Sequence, residues 1–268
     1  MIRFDLLVND AFDDPRSTRR PEHGLSILAH VEPADGQPSL RLLLDTGQHA
    51  KTLSSNIGDA SCLGNLDAVI LSHGHYDHSG GLSLLADAGI RCPLYMGPDA
   101  ERRRFSVQVG PDGQLGKMRK PIGMPTPEIL DHFDVRRVSG VHVVSPFLTL
   151  FTLPRPAPPN PRLLAADMLT PDSFSDELFA LISDGNDEWL FGGCTHHGLP
   201  MLLRFVFNDL GRSSLAGFIG GLHLQGRPLD EIEAVAADVE HYNVAAWRIV
   251  HCTGDDAQAV WRRRFNVI

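Results

Sequence analysis

The chain has 268 residues, a length that allows either two small domains or one large domain. Hydrophobic residues make up 43% and charged residues 21%, so the chain can bury a substantial core and is not expected to be disordered. The net charge of −9 argues against a general nucleic-acid binder, because binding to phosphates requires a basic face.

The terminus and the cysteines predict an intracellular protein. Residues 1–8 predict a short strand and lack the apolar region and cleavage site of a signal peptide. No segment approaches roughly 18 uninterrupted apolar residues, so no transmembrane helix is expected. The four cysteines are scattered without a CxxC pair, which argues against a disulfide framework. We therefore expect a cytoplasmic protein that does not contact the membrane.

Short apolar runs alternate with turns and helical segments along the first half of the chain. Strands are predicted, in chain order, over residues 1–8, 25–31, Leu40–Leu44, 67–71 and 93–97, with a helix over residues 80–88. This alternation of strand, loop, helix and strand predicts a layered α/β fold.

The middle of the chain is less regular and the last part returns to order. Residues 110–127 and 154–161 are rich in Pro or Gly and predict loops, either substrate walls or surface excursions. After them, strands are predicted over 177–183, 189–191, 215–219 and 246–250, and helices over 200–210, 228–242 and Asp255–Arg264. No linker divides the chain, so we expect a single domain over residues 1–268.

Four potential metal ligands lie within six positions directly after the apolar run 67–71. They are His73, His75, Asp77 and His78. The spacing of the first three lets them converge in an extended loop, while His78 can face a second ion. Imidazoles and a carboxylate suit zinc, iron or manganese. The alternative, a surface loop with chance histidines, does not explain this density.

Several segments resemble the metallo-β-lactamase fold superfamily, whose signature is His-x-His-x-Asp-His after a short strand. The set resembles in particular the branch of dihydropterin ribofuranosyl-aminobenzene phosphate synthase-like proteins, and it extends over roughly residues 2 to 265. The segments are Glu-His-Gly-Leu-Ser at 22–26, Asp-Thr-Gly at 45–47, residues 73–81, Gly-Cys-Thr-His at 193–196, Gly-Gly-Leu-His-Leu at 220–224 and His-Cys-Thr-Gly at 251–254.

The resemblance implies a four-layer αββα sandwich with two divalent metal ions where the two sheets meet. The ions would be zinc, with manganese or iron as alternatives. The implied ligands are His73, His75 and His196 for the first ion, and Asp77, His78 and His251 for the second. The neighbouring His197 would point to the opposite side of the chain.

One position departs from the wider superfamily. Most members carry a bridging aspartate after a Leu-Phe-Thr-Gly strand end, whereas this chain has Leu-Phe-Gly-Gly-Cys at 190–194. Either Cys194 occupies the bridging position or His196 takes over a neighbouring role. A thiolate ligand would favour zinc. Because six other ligands already fill the expected positions, we favour Cys194 as a neighbour of the site that does not bind metal.

Other polar residues are assigned to the surroundings of the site. Asp77 and His223 are the candidate catalytic residues, and His223 could be a ligand, a substrate contact or a structural histidine. His23 lines the pocket or lies in an exposed turn. Asp45 is expected to orient a ligand imidazole through its far N–H. The basic run 102–104 predicts a solvated face, with phosphate binding as the alternative.

The expected function is a metal-dependent hydrolase that uses a metal-bound hydroxide on a small ester or phosphoester, with phosphorylated substrates included. Metal binding lowers the pKa of water to about 7. The alternative is a pterin-type synthase that displaces diphosphate at the dinuclear site. A diiron redox protein is disfavoured, since such proteins usually carry Glu at the position of His75. A non-enzymatic binder would have lost ligands, and the charge argues against a nuclease. The oligomeric state stays open.

Overall fold

A computed structural model describes residues 1–12, 16–34, 36–58, 63–110, 114–123 and 125–268. Two six-stranded sheets form its centre. The first contains β1 (Ile2–Val8), β2 (Ser26–Val31), β3 (Leu40–Leu44), β4 (Ala68–Leu71), β5 (Pro93–Met96) and β8 (Asp134–Arg137), in that spatial order. The strands from β3 onwards run parallel to one another, so their carboxyl ends share one edge.

The second sheet is built from the C-terminal half of the chain. It contains β9 (Val141–Ser145), β10 (Leu148–Thr152), β12 (Leu178–Ser183), β13 (Glu188–Gly192), β14 (Gly217–Gly220) and β15 (Trp247–Ile249). The last three strands are parallel neighbours in the order β13, β14, β15. This sheet therefore also presents a row of carboxyl ends at one edge.

The alternation of side chains along the strands explains the layering. In β4, Ile70 belongs to the core between the two sheets, whereas Val69 and Leu71 face the helices outside the first sheet. In β12, Ala180 faces the core between the sheets and Phe179 faces the helices outside the second sheet. Both sheets are thus apolar on two faces, as expected for strands buried on both sides.

Helices cover the outer face of each sheet. The first sheet is covered by α1 (Ala50–Ile57), α3 (Leu82–Asp87) and α4 (Pro127–Leu130), and the second by α5 (Leu199–Arg204), α6 (Leu229–Val239) and α7 (Asp255–Arg264). The short α2 (Tyr76–Ser79) follows β4. The result is the four-layer αββα arrangement, which confirms the fold class expected from the sequence.

The prediction that residues 110–127 form a loop is wrong for part of the segment. Within its described residues, β7 (Leu115–Pro121) pairs with β6 (Phe105–Val109), and β11 (Leu163–Leu164) adds a third strand. Residues 111–113 and 124 lie outside the described ranges. Every residue of β7 is exposed or only half-buried, with Leu115 and Met118 among the exposed ones, so its sequence gives no alternating apolar pattern. Residues 154–161 carry no regular secondary structure, as predicted.

Two predicted helices differ in detail. The predicted helix over residues 200–210 is α5 followed by a π-helical turn at Phe205–Asp209. The predicted helix over residues 80–88 starts two residues later, as α3. None of the helices in the described ranges combines the length and apolar character that a membrane span requires.

Candidate metal centre

The candidate site residues singled out in the sequence, six histidines and Asp77, follow the carboxyl ends of parallel strands from both sheets. His73, His75, Asp77 and His78 follow β4, His196 follows β13, His223 follows β14 and His251 follows β15. Because these strand ends share one edge of the sandwich, residues distant in sequence meet in space.

The backbone at this edge is unusual at four non-glycine positions. Left-handed φ values occur after β3, β13, β14 and β15, at Asp45 (55°), Thr195 (52°), His223 (51°) and His251 (52°). Such conformations are uncommon for residues with a Cβ and concentrate at functional sites. Two of the four, His223 and His251, are themselves candidate site residues.

The close contact between the sheets requires glycine at position 193. A Cβ built on Gly193 would lie 2.1 Å from Ser72 Oγ, which belongs to the loop that carries His73. The two ligand-bearing loops, one from each sheet, therefore touch at this point. This contact brings His196 within reach of the histidines after β4.

The first cluster consists of His73, His75 and His196. The ring centroids of His73 and His75 are 4.5 Å apart. The ring centroid of His196 lies 4.9 Å from that of His73 and 5.3 Å from that of His75. The Nε2 atom of each ring is buried and has no hydrogen-bond partner. Ligand atoms of His73 and His196 lie within 4.8 Å of each other and of the Cys194 sulfur, whereas His75 lies outside that group. Buried imidazole nitrogens without partners are donors that a divalent transition metal can bind.

The second cluster consists of Asp77, His78 and His251. Asp77 Oδ2 lies 3.8 Å from His78 Nε2 and 3.5 Å from His251 Nε2. His251 Nε2 is also buried without a hydrogen-bond partner. A carboxylate with two imidazoles is a second donor set of the kind that zinc, iron or manganese accepts.

The Cys194 thiol lies between the two clusters. Its Sγ is within 4.8 Å of nitrogen atoms of His73 and His196, and within 4.8 Å of nitrogen atoms of His78 and His251. The distance from Sγ to His78 Nε2 is 3.2 Å. The same sulfur therefore lies close to residues of both clusters.

Polar groups, of which Asp45 and Ser72 are buried, contact the far side of the imidazole rings. Asp45 Oδ2 lies 2.7 Å from His78 Nδ1, the contact expected from the sequence, and Asp10 Oδ1 lies 2.7 Å from His251 Nδ1. Ser72 Oγ lies 3.0 Å from His73 Nδ1. Engaging Nδ1 in this way leaves Nε2 directed at the centre, which fixes ring orientation and raises ligand basicity.

Two consecutive acidic residues connect the loops of the first cluster. Asp176 Oδ2 accepts a hydrogen bond of 2.8 Å from the backbone N–H of Gly74, between His73 and His75. Glu177 Oε1 accepts one of 2.6 Å from the backbone N–H of His196. Both carboxylates are fully buried. They therefore attach the His73–His75 loop and the His196 loop to the same point before β12.

The basic run 102–104 is not a uniform solvated face. Arg104 is buried, and its guanidinium forms ion pairs with Asp172 and Asp176. The distance from Arg104 Nη2 to Asp176 Oδ1 is 2.7 Å. The guanidinium of Arg104 thus supports the loop before β12 from inside the protein.

The protonation states suit metal binding. Burial lowers the pKa of His73 and of His196 well below the usual value, and neighbouring imidazoles lower it further. Burial also lowers the pKa of His75 to about 3. Burial alone would raise the pKa of Asp77, but the charge of His78 and a hydrogen bond from His23 hold it well below its usual range. Neutral imidazoles and an ionised carboxylate are the forms that bind metal.

His251 differs from the other imidazoles. Burial alone would lower its pKa, but the charge of Cys252, the hydrogen bond to Asp10 and the nearby carboxylate of Asp77 raise it well above the usual value. A metal ion that binds at His251 Nε2 must therefore displace a proton.

The clusters open into a cavity of about 180 Å³ that is covered by the small three-stranded sheet. Its wall includes Lys120 of β7 and Leu163 of β11. A second cavity of about 550 Å³ shares His23, Leu163, His223 and Cys252 with it. The exposed Arg162 and Arg227 lie in the wall of that second cavity. A substrate could thus extend from the clusters toward two guanidinium groups.

Two candidate residues of the sequence analysis lie where the cavities join. His223 lines both, and its buried Nδ1 has no hydrogen-bond partner. His23 lines both as well, and its Nε2 lies 3.2 Å from Asp77 Oδ2. His197, in contrast, turns away and contacts Glu177.

The sequence analysis missed Asp10, Glu177 and Cys252. Asp10 and Glu177 act only through contacts with distant segments, for which the sequence has no signal. The position of Cys252 beside His251 was a usable signal, because the thiol of Cys252 lies with Cys194 and His223 in a third group of possible ligands.

Comparison with known proteins identifies the class to which this fold and site belong. The sequence profile of the metallo-beta-lactamase superfamily matches residues 63–204, slightly more than half of the chain. The chain belongs to the metallo-beta-lactamase superfamily.

Relatives within that superfamily are distant. A Methanocaldococcus jannaschii protein named 7,8-dihydropterin-6-methyl-4-(beta-D-ribofuranosyl)-aminobenzene-5'-phosphate synthase is 24% identical over 255 residues, which cover 91% of this chain and 85% of the relative. Among solved structures, the metal-dependent hydrolase Tm1679 has a TM-score of 0.75 and 23% identity, and the match covers 100% of this chain and 95% of Tm1679. Zn²⁺-bound PqqB from Methylobacterium extorquens has a TM-score of 0.55 and 15% identity. That match covers 100% of this chain and 97% of PqqB.

Proposed function

We propose that this protein is a metal-dependent hydrolase that cleaves a small ester or phosphoester at a dinuclear site. One observation carries the proposal: the Nε2 atoms of His73, His75, His196 and His251 are all buried without a hydrogen-bond partner, and Asp77 lies 3.5 Å from the last of them. Unpaired buried nitrogen atoms are costly unless something binds them. A pair of divalent ions satisfies them all.

The first ion would be held by His73, His75 and His196, and the second by Asp77, His78 and His251. Cys194 Sγ lies within 4.8 Å of nitrogen atoms from both sets, which supports Cys194 as an additional residue that would hold metal, in place of the non-binding neighbour favoured by the sequence. A thiolate in the donor set supports zinc over manganese or iron. When bound, the ions would supply an activated water nucleophile and stabilise negative charge on the substrate.

The chain's own residues would bind the substrate and move protons. His223 Nδ1, unpartnered at the junction of the cavities, is placed to donate to or accept from a substrate oxygen. The half-exposed His23 lies 3.2 Å from Asp77 Oδ2 and connects the site to solvent, so it is placed to carry a proton between the two. Lys120, Arg162 and Arg227 around the cavities favour a substrate with an anionic group.

The test is a substrate screen of protein purified without chelator or added metal. The panel contains phosphodiesters, phosphomonoesters, lactones, thioesters and a pterin diphosphate, and the His223→Ala variant is the matched control. We expect hydrolysis of at least one anionic ester that falls on removal of metal and in the variant. Hydrolysis that persists after complete metal removal would contradict the proposal.

A pterin-type synthase is the second candidate, because the relative of that name matches 91% of this chain. In that reaction the ions would assist the departure of diphosphate from a pterin substrate. The two candidates are separated by the products of the pterin diphosphate assay. Diphosphate release that depends on an aminobenzene acceptor supports the synthase, and release in its absence supports the hydrolase.

A further inference from the structure

Two buried thiols meet at the edge of the metal centre. Cys194 Sγ and Cys252 Sγ are 3.3 Å apart, and the side chains are 3% and 6% exposed. Cys194 follows β13 and Cys252 lies in the turn at His251–Thr253 after β15. These two strands are not neighbours, because β14 lies between them. The contact between the thiols therefore crosses the end of β14.

The end of β14 is shaped to allow this contact. A Cβ on Gly221 would lie 2.6 Å from Cys252 Sγ and 3.5 Å from the Cα of Cys194. The Gly221 N–H also donates a 2.9 Å hydrogen bond to Gly193 O, so its position is fixed. The absence of a side chain at this one position leaves the space in which the two sulfur atoms approach each other.

A small oxidant can reach the pair. Both thiols line the 180 Å³ cavity above the clusters, and Cys252 also lines the larger cavity beside it. Among the other cysteines, Cys92 packs in the core outside the first sheet, and Cys62 lies outside the described residues. The Cys194–Cys252 pair thus has access that Cys92 lacks.

We propose that Cys194 and Cys252 form a reversible disulfide when a peroxide oxidises the metal-free protein. One thiol, as its thiolate, attacks a peroxide oxygen and becomes a sulfenic acid, and the other peroxide oxygen leaves as water. The second thiol then attacks the sulfenic sulfur, and a second water leaves. Two thiols and one hydrogen peroxide give one disulfide and two waters. The sulfur atoms need to approach from 3.3 Å to about 2.0 Å.

The disulfide removes a thiolate from the centre. Cys194 Sγ is the sulfur between the two clusters, and once oxidised it no longer offers a thiolate to an ion. Bound metal and disulfide are thus alternative states of the same sulfur. This consequence rests on the proposed function, whereas formation of the disulfide itself does not.

The first experiment tests the disulfide alone, in a Cys62→Ser/Cys92→Ser background. The metal-free protein is treated with one equivalent of hydrogen peroxide, digested without reductant and analysed by mass spectrometry. We expect a cross-linked pair of peptides that contain Cys194 and Cys252, lighter by two hydrogen atoms and separated again by dithiothreitol. The Cys252→Ser variant gives no such pair. Recovery of two free thiols, or of sulfinic acids without a cross-link, would overturn the proposal.

The second experiment measures metal content after the same treatment. We expect the oxidised protein to bind at least twofold less zinc at limiting free zinc, with recovery after reduction and no change in Cys252→Ser. Metal bound before the peroxide is added should slow the cross-link. Equal zinc affinity in the oxidised and reduced forms would overturn the link to the metal centre. A protein that cross-links but hydrolyses nothing would contradict only the proposed function.

Discussion

Glu177 holds the backbone of His196, with 2.6 Å between Glu177 Oε1 and the His196 nitrogen. The second carboxylate oxygen accepts the N–H of His197 at 3.0 Å. The carboxylate is buried and receives both N–H groups of a tight turn after β13. It therefore fixes the direction in which the His196 ring leaves the chain.

Substitution of Glu177 should weaken metal binding without removing a ligand. We expect Glu177→Ala to lower zinc affinity by roughly 10- to 100-fold, the usual effect of losing a group that orients a ligand. Glu177→Gln should be intermediate, because the amide oxygen can accept only one of the two N–H groups. Competition with a chromophoric chelator measures the affinity.

The matched control for the two Glu177 variants is Glu188→Gln. Glu188 begins β13 and pairs with Arg212 at 2.7 Å, away from the clusters. The Glu188→Gln substitution removes one negative charge near the same sheet, as the Glu177 substitutions do, and should leave zinc affinity unchanged. Equal losses in the Glu177 and Glu188 variants would show that the effect comes from charge or stability.

Asp77→Ala should abolish turnover while the fold is retained. Asp77 contacts His23, His78 and His251, all within the site, whereas the apolar cores do not depend on it. Loss of a direct ligand should exceed the effect of losing a supporting group, so we expect turnover to fall by more than about 100-fold. Circular dichroism and thermal unfolding of the metal-free variant check the fold. A variant that does not fold even with metal supplied would indicate a structural site.

Each cluster should account for one ion. We expect two ions per chain, about 3.5–4 Å apart. His196→Ala and His251→Ala should each reduce the metal content to one ion per chain, because each removes a ligand from a different cluster. Inductively coupled plasma mass spectrometry after gel filtration gives the stoichiometry. One ion in the unsubstituted protein under saturating zinc would contradict the dinuclear assignment.

The local motifs carried most of the information about fold and site. Short strands that end in His, Asp or Gly clusters can be recognised in the sequence because the apolar run stops abruptly where the polar cluster begins. The run 67–71 followed by His73 is the clearest example, and β4 ends at Leu71. The resemblance then supplied the pairing of the sheets, which no local pattern contains.

What the sequence could not predict depends on contacts between distant segments. The exposed strand β7 is half polar, and it is held in place by pairing with β6. The contact between Asp10 and His251 joins residues 241 positions apart. The position of Cys194 between two clusters follows from how closely the sheets approach at Gly193, which no spacing in the sequence expresses.

Gly221→Ala should destabilise the protein. The added methyl group would meet Cys252 Sγ at 2.6 Å and Gly193 O at 2.7 Å, and the backbone oxygen cannot rotate away. We expect the free energy of unfolding to fall by about 1–3 kcal/mol, as for overpacking of a core. Urea unfolding of the metal-free protein gives this value. An unchanged midpoint would show that the end of β14 has more room than its contacts indicate.

Cys92 should resist alkylation until strongly alkaline pH. Burial raises the pKa of its thiol from 9.0 to about 11. Because the folded-state pKa is the higher one, the thiol's contribution to stability is complete below pH 9.0 and is lost as the pH rises through about 11. Iodoacetamide at about pH 8 should modify Cys92 far faster in urea than in the native protein. Equal rates in the two conditions would contradict this burial.

The contact between Asp10 and His251 also sets a time order for the assembly of the metal centre. During synthesis, the residues of the first cluster are all present once position 196 has been added. The second cluster needs His251, and the orientation of His251 depends on Asp10 near the start of the chain. The segments that carry Asp10 and His251 must therefore meet before the second cluster is in place. A chain that stopped between residues 196 and 251 would hold the first cluster but lack His251, so it would offer the ligands of only one of the two proposed ions.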